Sequence, residues 1–391
     1  MQKKIFIRSF LVRIAMLFLS LSTIHADQEK VENTSTSSTK NKWMDEAIEG
    51  EFIKFKKSGI SQKSVDATYE AFTKECTDGL NRCRGLVKRY KVINQKVYGE
   101  ETTVKYLLEL MCERYSVPDV DFLYYYQDEI ATNNPIIKKK FKKAPILVSA
   151  KKKGFAKVVL FFDWLYDITN NAHGWNATID AINDNISHYP WEEKIEKAFW
   201  RGSGTDGAYT IDNLVTYPRG FAVYLSKNNP EYIDAGFTHI HDHFFEQTKE
   251  VLRSTGLVSF LNPKDQMQYK YLLDIDGVTF AYPAAYHKFL SNSLVMKQNS
   301  DNVMWFSSRL IPWEHFVPVH NDLRDVKEKV QWARENDGEA KKIADSGRQF
   351  ALDHLMPEQI LEYCYKTLVK YASLQTFQPK LTAEEKKLYA E

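Results

Sequence analysis

The sequence predicts an α/β fold built as two halves with a cleft between them. Short apolar runs of strand length alternate with segments of helical periodicity: DVDFLYYY (119–126), PILVSA (145–150), KVVLFF (157–162), KAFWRGSG (197–204) and YKYLLDIDG (269–277). Such alternation implies a parallel sheet. The runs stop at acids or glycines, as at Asp128, Asp163, Gly202-Ser203-Gly204 and Asp276-Gly277, and ligands of such sheets sit at the carboxyl ends of strands. From about residue 323 the chain reads as helix.

Taken in order, residues 44–75 carry helical periodicity, and LVKRYKVINQKVYG (86–99) reads as two strands about a turn at Asn94-Gln95. A helix follows over 101–115. In the second half Pro218 opens a helix, AAYHKFLSNS (284–293) forms another, and LVMKQ follows as a strand. Three helical segments close the chain, the last beginning at Pro357, a residue suited to a first turn.

The 391 residues suffice for one large or two medium domains. With 53 basic and 51 acidic residues the net charge is +2, which exerts no global pull toward nucleic acid or a membrane surface. Residues 1–26 read as a signal peptide, with Lys3, Lys4, Arg8 and Arg13 before the apolar run 14–24, which is too short to span a bilayer. Residues 27–43 read as a flexible leader. These features place the protein in a secretory lumen, in a periplasm or outside the cell, and the terminal KKLYAE carries no endoplasmic-reticulum retention signal. Four cysteines, Cys76, Cys83, Cys112 and Cys364, favour disulfides in such a compartment, with three pairings open. Asn33, Asn176 and Asn185 each head a glycosylation sequon.

Three constellations compete for the chemistry. FTHIHDHFF (237–245) gathers His239, His241, Asp242 and His243, as a metal-dependent hydrolase would, but lacks a second ligand cluster of metal spacing. Asp274 and Asp276 in DID lie on one side of a strand, where a metal clamp on a nucleotide-sugar diphosphate would place them. AFWRGSGTDG (198–207) puts Arg201 before a loop whose small residues let backbone N–H groups approach an anion. Nine lysines between 138 and 157 form either a solvated face or a patch for an anionic acceptor.

The ordered array KAFWRGS, PRGFAVYLSKNNPEYIDAGFT, YKYLLDIDG, LSNSLVMKQ, WFSSRLIPWEHFVPV and DLRDVKEKVQWARENDGEAKKIADSGRQFALDHL, spread over 115–375, resembles the capsule-associated-protein and Rumi-type glycosyltransferases. That family includes protein O-glucosyltransferases and bacterial lipopolysaccharide-modifying enzymes. The resemblance implies a GT-B-like fold of two Rossmann-like halves, with C-terminal helices crossing back. It divides the chain into an acceptor side (44–195), a UDP-sugar side (196–375) and a tail (376–391).

It further implies an inverting UDP-sugar glycosyltransferase that needs neither metal nor other cofactor. The donor sugar is glucose or xylose; the acceptor is a hydroxyl of a glycan or lipopolysaccharide, or a protein Ser. Asp128 matches the catalytic base, with Asp163 in reserve. Ser203 matches a donor-contacting serine, Arg219 the basic residue on the diphosphate, and Arg201 with Gly202 the loop they stand on. Gly277, Val278, Thr279, Pro283, Ser291, Asn292 and Ser293 complete the expected donor segment. Ala284 falls near a family arginine that contacts the diphosphate, a departure for which His287 or Lys288 offers replacement charge. The resemblance also places Cys364 near Cys76 or Cys83. A non-catalytic carbohydrate-binding relative is the rival reading. Neither nucleic acid nor a stable membrane span is expected.

Overall fold

The computed structural model describes residues 42–73, 87–126, 128, 144–161, 174–280 and 284–389. The expected signal peptide, the leader to residue 41, Cys76, Cys83, Asp163 and Pro283 lie outside the described residues. The chain forms two compact units, Met1–Ile48 and Glu49–Glu391. The described part of the first belongs to helix α1 (Lys42–Glu51); the second holds both sheets.

In the first half the elements are α2 (Gln62–Thr73), β1 (Val87–Ile93), β2 (Lys96–Tyr98), α3 (Thr103–Arg114), β3 (Val120–Tyr125), β4 (Ile146–Val148), β5 (Lys151–Lys152) and β6 (Val158–Leu160). The sheet runs β2-β1-β3-β4-β6. Strands β3, β4 and β6 are parallel, as alternation with helices predicts, but β1 is antiparallel to both β2 and β3. For β1 and β2 the reason is the predicted turn itself. Asn94 and Gln95 both sit at positive φ, 49° and 62°, and a two-residue connection returns the chain only into an antiparallel partner.

The second half contains α4 (Trp175–Asn185), β7 (Ile195–Ser203), α5 (Pro218–Asn228), β8 (Ile233–His239), α6 (Glu246–Ser254), α7 (Pro263–Gln266), β9 (Tyr269–Asp274), α8 (Ala284–Leu290), β10 (Leu294–Gln298), β11 (Asn302–Val303) and β12 (Val317–Val319). Its sheet is wholly parallel in the order β12-β10-β9-β7-β8. The chain leaves β7 for β8 on one side and then crosses to β9 on the other. That reversal is the topological switch point at which open α/β sheets bind ligands.

Helices α9 (Val326–Glu335), α10 (Asp337–His354), α11 (Pro357–Leu374) and α12 (Ala383–Leu388) follow. Helix α11 crosses back to the first half, packing on β3 and α3. The Tyr363 hydroxyl donates to the Leu160 carbonyl at 3.1 Å, and the Tyr371 ring meets Phe122 edge-on at 6.2 Å. Strands β5 and β11 also pair antiparallel, joining the halves by main-chain bonds. The fold is therefore α/β and GT-B-like, two Rossmann-like halves with returning helices. Among the described residues no helix is long and apolar enough to cross a membrane.

The segment after α11, expected as a tail, lies against β1. Thr382 and Glu385 form a reciprocal cap at the start of α12. Lys91, only 2% exposed, donates to Glu385 at 2.5 Å and to the Lys380 carbonyl at 3.0 Å. Glu385 is partly exposed, so its loss leaves the Lys91 charge short of a partner at a reduced cost. Glu385→Ala is expected to cost about 1 kcal/mol in urea unfolding, and Lys91→Met/Glu385→Ala to recover most of it. Equal stability of Glu385→Ala and wild type would show that the pair contributes nothing.

Candidate functional site

The carboxyl ends of β7 and β9 lead into two loops, and Arg219 on the first turn of α5 holds them together. Its Nη1 donates to the Ser203 carbonyl and to Thr205 Oγ1, both at 2.7 Å. Its Nε donates to the Asp276 carbonyl at 2.9 Å and its Nη2 to the Ile275 carbonyl at 3.1 Å. The guanidinium lies 5.3 Å over the Trp200 ring, a favourable cation–π placement. Gly277 allows the approach: a Cβ there would lie 2.5 Å from Thr205 Oγ1 and 2.9 Å from Arg219 Nη2. Asp206 anchors the start of α5, accepting from the Arg219 backbone N–H at 2.9 Å and from the Tyr209 hydroxyl. Burial raises the Asp206 carboxyl above its ordinary value although the Arg219 charge opposes this.

Beneath the β9 loop lies a buried ionic cluster. Both Asp274 oxygens are occupied: Lys288 of α8 donates to Oδ1 at 3.0 Å and Lys297 of β10 to Oδ2 at 2.9 Å. Burial alone would push the Asp274 carboxyl up, but the Lys297 and Lys288 charges outweigh it and hold it at about 2. Lys297 also lies 3.9 Å from the centre of the Phe280 ring, directly against the loop. Asp276 receives Ser300 Oγ and, at 2.7 Å, Asn302 Nδ2 on one oxygen. Its other oxygen and the Thr279 hydroxyl are buried and have no hydrogen-bond partner among the described residues.

Asp128 stands just beyond the carboxyl end of β3 in the other half. The strand end is fixed by Tyr124, whose hydroxyl pairs with Ser149 Oγ at 2.8 Å, and by Tyr126, whose hydroxyl accepts from the Val104 N–H at 3.0 Å. Burial raises the Asp128 carboxyl, and the nearby charge of Arg219 opposes that rise. Asp128 and Arg219, which come from different halves, are thus near enough for their charges to interact.

Other expected site residues divide between this cluster and elsewhere. Ser203 is within it, its hydroxyl donating to the His239 carbonyl at 3.1 Å. Gly202 adjoins a register shift in β7, and a Cβ there would press 2.6 Å from the Trp200 ring. Val278 is half exposed at the rim and Thr279 is buried. Arg201 does not reach the cluster: its guanidinium is bound to Asp234 at 2.7 Å and lies 4.5 Å over Phe199.

Ser291, Asn292 and Ser293 are not brought together with Gly277. Helix α8 runs from the carboxyl edge of the sheet back to its amino edge, as a crossover between parallel strands requires. Ser293 Oγ accordingly donates at 2.7 Å to the carbonyl of Tyr269, the first residue of β9, and Asn292 Nδ2 to the Tyr189 carbonyl at 3.0 Å. Ser291 turns inward onto the Lys288 carbonyl at 2.6 Å. The residues missed from sequence are Thr205, Asp206 and Lys297; the signal for the last was a lysine inside the apolar run LVMKQ.

The histidine segment follows β8, with ring centroids of His239 and His241 4.6 Å apart and of His241 and His243 5.2 Å apart. Among the described residues no group of three or more His, Cys, Asp or Glu is arranged to hold a metal ion. Burial, then the neighbouring histidines, lowers His241 below its ordinary value. Cys364 is buried in α11, and its expected partners lie outside the described residues. Cys112 is a free, half-buried thiol that burial pushes up to about 11.

A family profile described as glycosyl transferase family 90 matches residues 44–391. Protein O-glucosyltransferase 3 of Homo sapiens is 32% identical over 314 residues, 76% of this chain and 57% of that protein. O-glucosyltransferase rumi of Drosophila pseudoobscura pseudoobscura is 26% identical over 355 residues, 85% of this chain and 77% of that one. The match thus spans little more than half of the human relative. A sucrose-phosphate synthase from Thermosynechococcus elongatus, 9% identical over 64% of this chain and 67% of its own, aligns with a TM-score of 0.41, too low to define the fold.

The Asp274 cluster has a consequence for acid stability. Because its folded value lies below its ordinary 3.8, Asp274 contributes stability that is complete above about pH 4 and is lost as pH falls through about 2. The contribution is about 2 kcal/mol. Asp274→Asn should be less stable than wild type at pH 7, and the gap should close between about pH 4 and pH 2. Urea midpoints over that range test this; a constant gap would refute it.

Proposed function

The chain belongs to glycosyl transferase family 90, and from that premise we propose that it is an inverting glycosyltransferase taking a sugar from a UDP-sugar to a hydroxyl acceptor. The observation that supports this reading is the Arg219-held pair of loops at the switch point of the second sheet, with Asp128 of the other half close enough for its charge to couple to that of Arg219. The donor lies along the β7 and β9 loops, with its diphosphate toward Arg219, Ser203 and the 277–280 segment. The acceptor enters from the side of the first sheet. Asp128 takes the acceptor hydroxyl proton as that oxygen bonds to C1 of the sugar. The C1–oxygen bond to UDP breaks on the opposite face, so the anomeric centre inverts and the electron pair leaves with UDP. Burial aids Asp128, since a carboxylate held above its ordinary value is the stronger base.

The names of the relatives, protein O-glucosyltransferase and O-glucosyltransferase, favour glucose as the sugar and a protein hydroxyl as the acceptor over lipopolysaccharide. No metal ion is required on this reading. Asp274, the first acid of the DID pair, has both oxygens on lysines, and charge for the leaving diphosphate comes from side chains. The N-terminal sequence supports action in a secretory lumen or periplasm.

Asp128→Asn keeps the shape of the base and removes its proton affinity. It is expected to lower transfer about 10²–10⁴-fold, with UDP affinity by calorimetry unchanged. Near wild-type turnover would remove Asp128 from the role. In a UDP-release assay over a panel of UDP-sugars, UDP-glucose should give the highest rate and EDTA should leave it unaltered. Loss of activity in EDTA that Mn²⁺ restores would overturn the metal-free mechanism.

A further inference from the structure

We propose that Asp276, Thr279 and Asn302 form a hydroxyl-reading subsite for the donor, with Asp276 as its specificity-determining residue. The subsite takes a vicinal diol, of the ribose or of the transferred sugar. The inference rests on the UDP-sugar reading above.

Three buried polar atoms near the carboxyl ends of β9 and β10 have no hydrogen-bond partner among the described residues: Asp276 Oδ1, Thr279 Oγ1 and Asn302 Oδ1. Their residues are 4%, 1% and 7% exposed. A buried polar atom without a partner is costly, and native folds leave few of them. The rest of the cluster is spent on holding these atoms in place. Asp276 Oδ2 accepts from Ser300 Oγ and, at 2.7 Å, from Asn302 Nδ2. The Asp276 N–H donates to Gln298 Oε1 at 2.8 Å, and Gln298 Nε2 donates in turn to the Asn321 carbonyl at 2.8 Å. Asn302 is fixed from the other half, since β11 pairs with β5 through Asn302 and Lys152. The Gly277 N–H donates to the Thr279 carbonyl at 3.0 Å, which folds the β9 loop back toward Asp276. One carboxylate oxygen is thus anchored and the other is left over, with the bonded Asn302 carboxamide beside it.

The chemistry of these atoms selects the ligand. An ionised carboxylate and a carboxamide oxygen only accept, whereas the Thr279 hydroxyl can donate or accept. The partner must therefore present donors. A cation is disfavoured, because the Lys297 charge already acts on Asp276 and Arg219 Nε sits on the Asp276 carbonyl at 2.9 Å. The uracil edge is mismatched: its single N–H is flanked by carbonyl oxygens, which would meet acceptors. Two adjacent hydroxyls fit, each giving a proton to one oxygen and keeping lone pairs for Thr279. An acid past the carboxyl end of a parallel strand is the group on which Rossmann-type sheets accept ribose hydroxyls. Val278, beside Thr279, is half exposed, so the subsite lies directly under the surface of the β9 loop, along which the donor runs on that reading.

Calorimetry on the full chain, in EDTA, tests this with ligands that lack hydroxyls of one ring at a time. If the ribose is read, wild type should bind UDP about tenfold or more tighter than 2′,3′-dideoxy-UDP. If the sugar is read, those two bind alike and UDP-glucose exceeds its 2-deoxy or 3-deoxy analogue by that factor. In Asp276→Asn, which keeps the shape and removes the charge, most of the discrimination should go, while the deoxy ligand binds as it does to wild type. If Asp276→Asn does not fold, Thr279→Val removes only the unpaired hydroxyl and should narrow the same gap. Discrimination unchanged in the folded variant, or equal weakening of every ligand, would mean that the residue only supports the structure and would overturn the proposal. No discrimination by wild type in either series would leave the subsite to a buried water and overturn it too, with the UDP-sugar reading intact. Wild type that binds neither UDP nor UDP-glucose would overturn that reading as well.

Discussion

The four hydrogen bonds from Arg219 to the loops after β7 and β9 are the constraint on which the site depends. Those loops leave neighbouring parallel strands at the point where the chain reverses direction across the sheet, and nothing in the ladder itself holds them together beyond Ser203 and Asp274. Three of the four acceptors are main-chain carbonyls, of Ser203, Ile275 and Asp276. A guanidinium suits this better than an ammonium, because its planar fork presents fixed donors to several acceptors at once. The arrangement also explains the glycine at 277 and the indole at 200, which bound the space the guanidinium occupies.

Arg219 spends most of its donors on the protein, so on the proposed reading its contribution to a bound anion would be mainly charge. Charge of that kind is worth most where water is excluded and the groups need not reorganise. The Lys288–Asp274–Lys297 cluster is likewise preset, buried and held by hydrogen bonds of 2.9 to 3.0 Å. Asp128 belongs to the other half, beyond the end of β3. On the proposed reading the proton acceptor and the donor-side arginine therefore come from different halves of the fold.

Much of this was legible in the sequence. The apolar runs and the acids or glycines that end them marked the strands, and Pro218 and Pro357 marked helix starts. What escaped was chiefly what sequence does not encode locally. The carbonyl partners of Arg219 are backbone atoms, invisible to residue type. The resemblance grouped Ser291–Ser293 with Gly277, yet the intervening helix carries them to the opposite edge of the sheet. Lys297 lay hidden in an apolar strand, where its only cue was that a buried lysine demands a carboxylate. The antiparallel edge followed from the Asn94-Gln95 turn, which was read correctly, but its consequence for the sheet was not drawn from alternation alone.

The return of α11 and α12 to the first sheet bears on how the polypeptide can be made. Lys91 on β1 finds Glu385 only 294 positions later, Asp121 on β3 meets Gln375 through its N–H, and α11 covers the face of β3. During synthesis the first sheet emerges long before these partners, with a buried-type lysine and an apolar face still open. Domains usually fold as they leave the ribosome, N-terminal part first. Here the first half cannot reach its final packing until α11 and α12 are released, so its completion waits on their synthesis. Contacts so distant in sequence also make for slow folding. A nascent chain of this design has a long interval in which a chaperone would find exposed surface to hold.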